Sequence, residues 1–186
     1  GSNRLAIPER LREIVAWLEV EWRQQGERIE MVTGELKRLV REDPVARLLD
    51  TIDGIGPITA TALACKGIDP GRYRNSRLFA ASFGVVPEQH STAGKTRLGR
   101  MSRRGDSYIR MLLIQGAHAA LRVVRAEAKD PYSRRLRRWR EVRGSKGAAV
   151  RLANHTLRVV WVLLKRGVAY ERNPERVAPA AIPMEA

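Results

Sequence analysis

Apolar residues recur along the first forty positions with a helical, heptad-like spacing. Leu11, Val15, Leu18, Trp22, Ile29, Val32, Leu36 and Leu39 follow steps of four and three, with Gln25 in the one gap. That pattern predicts one long helix from Pro8 to Val40 carrying a coiled-coil seam of about four heptads. Gly26 and Gly34 weaken it, each by up to ~1 kcal/mol relative to alanine. A helix this long cannot bury such a stripe alone. The stripe pairs with another subunit, pairs with a helix outside this chain, or packs on the chain's own body.

Further along, the apolar runs are shorter and punctuated. Asp43-Pro44 opens a helix to about Thr51, with proline at the first helical position. A glycine turn, Asp53-Gly54-Ile55-Gly56-Pro57, leads into a second short helix ending near Lys66. Ser76 to Phe83 predicts another helix, stopped by Gly84. Residues 84–105 show little periodicity and read as a loop with room for a short hairpin. Asp106 is placed to N-cap a helix running to about Ala128. Asp130-Pro131 opens a basic helix ending near Gly144, and a last amphipathic helix spans roughly Lys146 to Arg166. No segment reads convincingly as a strand, so the predicted class is all-α. The expected organisation is a coiled-coil helix over 3–42, a helical domain over 43–170 and a disordered, proline-containing tail over 171–186.

Charge sharpens this picture. The chain of 186 residues carries a formal net charge of +15. Between Ser91 and Arg151 stand 17 lysines and arginines against four acids, so most of the excess lies in one third of the chain. Such clustering points to a polyanion track rather than a generally basic surface. Arg134, Arg135, Arg137 and Arg138 share one short helix. No run approaches the ~20 apolar residues of a membrane span, and a cytoplasmic protein is expected. Cys65, the only cysteine, sits in an apolar helical stretch and is expected to be a buried, inert thiol. The three histidines are scattered and have no metal-ligand spacing.

Two motifs carry candidate chemistry. The pattern around Gly54 and Gly56 is that of a helix-hairpin-helix, in which glycines let backbone approach a phosphate and free amides at a helix start face the anion. The alternative for the same residues is a plain αα-hairpin with a glycine turn. The second motif is Ser91-Thr92-Ala93-Gly94-Lys95, followed by Arg97, Arg100, Arg103 and Arg104, with Arg110 on the next helix. A serine beside a flexible glycine and several cations suits phosphoryl transfer, because cations offset charge at a five-coordinate phosphorus. A phosphate-binding loop with an incidental serine fits these residues at least as well.

Three blocks in order resemble the transposases of insertion-sequence family one-ten, with its subgroup eleven-eleven and the Piv-type invertases. They are Ile52 to Pro57 with Thr59-Ala60; Phe83 to Pro87 with Ser91 to Lys95; and Met101 to Asp106 with Arg110. Ala148 to Asn154 and Trp161 add to the resemblance, which covers about residues 45–170. It implies a C-terminal domain that supplies a catalytic serine forming a covalent link to DNA. It further implies a coiled coil, assembly as a homo-oligomer, double-stranded DNA as partner and a non-coding bridge RNA as guide. A divalent metal, magnesium, is implied on the carboxylates of an N-terminal RuvC-like domain that these residues do not contain, so the chain by itself is expected to be inactive. The family motif reads Ser-Ser-Gly-Gly-Lys; here Ser91 takes the first position and Thr92 the second, leaving Thr92 as the alternative nucleophile. A reading from a different class is a non-catalytic helix-hairpin-helix module that binds DNA or RNA. A third is a coiled-coil assembly protein with a basic tail.

Overall fold

The computed structural model describes residues 8–92, 95–125 and 127–171, with the side chains of residues 89–98 and of residue 100 outside the described set. The tail expected beyond Glu171 lies outside the described residues. The chain divides into two compact units, residues 1–38 and 39–186.

The first unit is most of one helix. Helix α1 runs Glu9–Glu42, with Glu9 in its first turn and Arg41 in its last, each matched to the helix dipole at its end. Its apolar residues are exposed: Leu18 at 52%, Ile29 at 65% and Trp22 at 84%. Leu11, Val15, Val32 and Leu39 are exposed as well, while Leu36 is half-buried. Trp17, Val20 and Met31, which the heptad reading passed over, are also exposed and fall on a different face of the helix.

The second unit holds the core. It contains α2 (Pro44–Asp50), α3 (Pro57–Cys65), a 3-10 turn (Pro70–Arg72), α4 (Ser76–Ser82), β1 (Pro87–Thr92), β2 (Lys95–Met101), α5 (Ser107–Val123) and α6 (Pro131–Arg166). The helices begin where short polar residues satisfy free amides. The Asp43 carboxylate accepts from the Val45 and Ala46 amides at 2.7 and 2.9 Å. Asn75 does the same for Arg77 and Leu78, Asp106 for Ile109 and Asp130 for Ser133. Each such cap is worth ~1 kcal/mol. Leu49, Leu63, Phe79, Ile109, Leu113, Leu136 and Leu157 are fully buried, each contributing ~1.5–3 kcal/mol by burial. Phe79 is the aromatic centre, meeting Tyr73 and Phe83 edge-on at 5.1 and 5.2 Å.

Helix α6 is two arms, as the proline and glycine punctuation predicts. Gly144 adopts φ 65°, ψ 173°, a conformation open essentially to glycine alone. On a straight helix Arg135 and His155 would stand ~30 Å apart. Their Nη2 and Nε2 atoms are 3.3 Å apart. The arms therefore fold back on each other at Gly144.

Mostly helical structure is what the hydrophobic pattern predicted, with three differences. The segment read as a loop contains an antiparallel hairpin, β1 with β2, in the register Pro87↔Met101, Gln89↔Leu98, His90↔Arg97, Ser91↔Thr96 and Thr92↔Lys95. Helix α5 stops at Val123 rather than near Ala128. The β-branched pair Val123-Val124 is poorly suited to continue it, and Val124 turns extended and packs against the core. Cys65 is exposed, not buried. Helix α3 buries Thr59, Ala60 and Leu63, and Cys65 sits about 200° around the helix from Leu63, on the solvent side.

Candidate nucleic-acid interface

The hairpin that holds Ser91 is clamped to the helical body at its foot. Gly84 and Gly105 adopt left-handed φ values of 71° and 89° and pass backbone against backbone. A Cβ on Gly84 would stand 2.0 Å from the Arg104 carbonyl, and one on Gly105 would stand 1.9 Å from the Ser82 carbonyl. Neither position admits a side chain without moving main chain. The Ser102 amide donates to the Val86 carbonyl at 2.9 Å and the Arg103 amide to the Gly84 carbonyl at 3.2 Å. Arg110 crosses this clamp and donates to the carbonyls of Phe83 and Arg104 at 3.1 and 3.4 Å. Its guanidinium thus holds the foot of the hairpin together. Arg103 is held at φ 53°, a strained left-handed setting for an arginine, with its side chain exposed beside exposed Arg104.

One ion pair fixes the helix that follows. Lys66, just past α3, pairs with Asp106, the N-cap of α5. The Lys66 ammonium and the Ile109 amide hold the Asp106 carboxyl below the usual carboxylate range. The strand positions of Ser91, Thr92, Lys95, Arg97 and Arg100 are set by the hairpin, but their side chains lie outside the described residues.

The glycine turn between α2 and α3 has two different glycines. Gly54, at φ 88°, meets Gly116 of α5 so closely that a Cβ on Gly116 would stand 1.8 Å from the Gly54 carbonyl. Gly54 therefore serves a close crossing with α5. Gly56 caps α3 from an extended conformation and has no atom within 4 Å of where a Cβ would lie, so its side stays open.

The basic arm of α6 separates its arginines. Arg134, Arg135 and Arg138 line one cavity with Trp139 and, from beyond the fold-back, Arg151. Arg137 turns away and donates to the Arg125 carbonyl at 2.9 Å. Trp139 lies beneath two guanidiniums, Arg151 at 4.7 Å and Arg135 at 5.5 Å from its centroid. His155 packs edge-on to Trp139 at 6.0 Å. Burial, with Arg135 and Arg158 adding positive charge, pushes its imidazole down to about 4 from an ordinary 6.5. It is therefore neutral near pH 7, and its Nε2 accepts from Arg135.

Sequence reasoning passed over Arg77, Arg158 and Trp139, which the fold brings to this surface. No local pattern marks them, since they lie far apart in the chain. Two residues noted in the resemblance serve as anchors: Asn154 donates to the Val85 carbonyl at 3.3 Å, and Trp161 to the Pro70 carbonyl at 3.0 Å. Among the described residues no group of three or more His, Cys, Asp or Glu could hold a metal ion. No helix described is long and apolar enough to cross a membrane.

Comparison with known proteins adds the family context. A probable family 20 transposase of Pseudomonas aeruginosa is 40% identical over 88% of this chain and 48% of its own length. A putative transposase, y4pF/y4sB, of Sinorhizobium fredii is 35% identical over 90% of this chain and 43% of its own. The transposase for insertion sequence element IS1328 of Yersinia enterocolitica is 37% identical over 89% and 49%. The chain thus spans about half the length of the curated relatives it matches. Across most of its length the chain is similar to insertion-sequence transposases, and its residues 46–133 match the model of the Transposase IS116/IS110/IS902 family.

Proposed function

We propose that this chain is the C-terminal, nucleic-acid-binding part of an insertion-sequence transposase and presents a serine nucleophile to DNA. The observation that carries the reading is the placing of Ser91 in a basic hairpin whose foot is clamped beside an arginine-lined surface. Arginine tracks bind phosphate backbones without reading sequence. The open Gly56 end of α3 suits the backbone grip of a helix-hairpin-helix, with the Gly56 and Ile58 amides toward a phosphate.

In the proposed step the Ser91 Oγ attacks a phosphodiester phosphorus. An Oγ–P bond forms, one P–O bond to sugar breaks, and the serine proton passes to the departing oxygen. Nearby cations, among them Lys95 and Arg97, offset charge on the phosphoryl oxygens. Carboxylates for a divalent metal are supplied from outside this chain. A guide RNA and the homo-oligomer formed through α1 complete the proposed assembly.

The test is covalent trapping in the full-length transposase that carries this chain, with divalent metal and guide RNA. The wild type should leave a protein–DNA adduct that survives denaturation. Ser91→Ala should abolish it while nucleic-acid binding stays nearly intact, and Thr92→Ala should retain it. An adduct lost only in Thr92→Ala moves the nucleophile to Thr92. An adduct that survives both changes removes the nucleophile from this hairpin and leaves Lys95 and Arg97 as ordinary phosphate contacts.

A further inference from the structure

A cleft of about 400 Å³ opens between α4, the foot of the hairpin and the second arm of α6. Its floor is apolar, formed by Val85, Val86, Pro87 and Val150. Its rim carries Arg77, Arg143, Arg151 and Arg158, and among the described residues no carboxylate lines it. Asn154, bonded to the Val85 carbonyl, sets the floor against α6. The volume falls within the ~300–1,000 Å³ typical of pockets for small organic groups. A second cavity shares Arg143 and Arg151 with it, and there the Arg151 guanidinium covers Trp139.

Four cations around an apolar floor match one chemistry better than a duplex backbone. Duplex DNA offers phosphates and groove edges, while its base faces are hidden in the stack. An unpaired nucleotide offers a phosphate and a free base face together. We propose that this cleft binds an unpaired nucleotide of a single strand. Its base lies on the Val86, Pro87 and Val150 floor. The flanking phosphates run from Arg77 and Arg158 to Arg143 and Arg151. The site rests on the nucleic-acid-binding reading above and adds strand state to it. Pro87 is both the floor of the cleft and the first residue of β1, so Ser91 lies four strand steps away, about 13 Å. A strand seated in the cleft is therefore held in reach of the hairpin.

The probes are fluorescently labelled single strands roughly twelve nucleotides long: oligo-dT, oligo-U, an abasic strand with the same phosphates, and a duplex of equal length. Fluorescence anisotropy on the 186-residue chain reads their affinities. Oligo-dT or oligo-U should bind about tenfold more tightly than the abasic strand. Whichever of the two binds more tightly identifies the strand as DNA or RNA. Arg77→Ala with Arg158→Ala, both exposed and so tolerant of change, should cost about tenfold in single-strand affinity and less than about twofold for the duplex. Val150→Asp, with unchanged far-ultraviolet circular dichroism, should erase the preference for base-bearing over abasic strands. Equal binding of base-bearing and abasic strands by the wild type overturns the proposal. So does an equal loss for single strand and duplex in the double variant. Absence of binding to all four probes at low salt overturns instead the nucleic-acid reading on which the site rests.

Discussion

Helix α1 and the helical body use similar apolar residues at similar helical spacing, and they come to opposite ends. In the body, Leu113, Leu136, Leu152 and Leu157 are at most 2% exposed. On α1, Leu11, Val15 and Leu18 remain about half exposed. The glycines divide the same way. Gly84, Gly105 and Gly116 lie against backbone with no space for a methyl group, whereas Gly26 and Gly34 have nothing within 4 Å. The difference teaches that periodicity alone specifies a helix and a face. Whether that face is covered depends on what the rest of the chain brings to it. The body closes its own core, and the apolar stripe of α1 stays exposed.

The largest test of this contrast is Gly116→Ala. The new methyl would need to displace the Gly54 carbonyl, so the body should lose about 3 kcal/mol or more in denaturant unfolding. A loss under about 1 kcal/mol would mean that the turn yields easily and that the close crossing is not a constraint. Next comes Leu18→Asp with Ile29→Asp. If α1 pairs with a second copy, sedimentation should show the wild type associated and the variant monomeric, with the body's unfolding midpoint unchanged. A monomeric wild type at high concentration would assign the stripe to a different partner.

A smaller effect is expected from pH. The unfolded chain protonates His155 near its ordinary 6.5, whereas the folded chain does so only near 4. Stability from neutral His155 is complete above the unfolded value and is lost as pH falls from 6.5 toward 4. Partial solvent access reduces the loss to about 1–2 kcal/mol. His155→Leu should flatten this slope, read from denaturation midpoints across that window, without disturbing α1. The smallest effect is Gly26→Ala, which should stabilise α1 by up to ~1 kcal/mol and raise its helical signal on heating. Its sign, opposite to that of Gly116→Ala, isolates the contrast between the two regions.

Much of the helical order was legible in the chain. Asp43-Pro44, Asp106 and Asp130-Pro131 announce helix starts because short acidic side chains satisfy amides that the helix leaves free. Gly84, Gly144 and Gly167 announce stops or breaks because all three take positive φ. The basic hairpin residues and the arginine cluster of α6 were visible as charge. The hairpin itself was weakly marked, since Pro87 to Met101 lacks strict alternation of apolar and polar residues.

The sequence by itself determined where helices begin and end, because capping and glycine conformations depend on a few adjacent residues. It also determined that positive charge gathers beyond Ser91. Only the tertiary structure decided that Gly54 packs on Gly116, that Arg110 braces the hairpin, that Arg137 turns from the basic surface and that Cys65 faces solvent. It alone brought Arg77 to Arg158 and Trp139 to Arg151. The physical reason is that such meetings join residues distant in the chain. Closing those loops carries an entropy cost that only the packing of the whole core repays, and no local pattern of residues records the result.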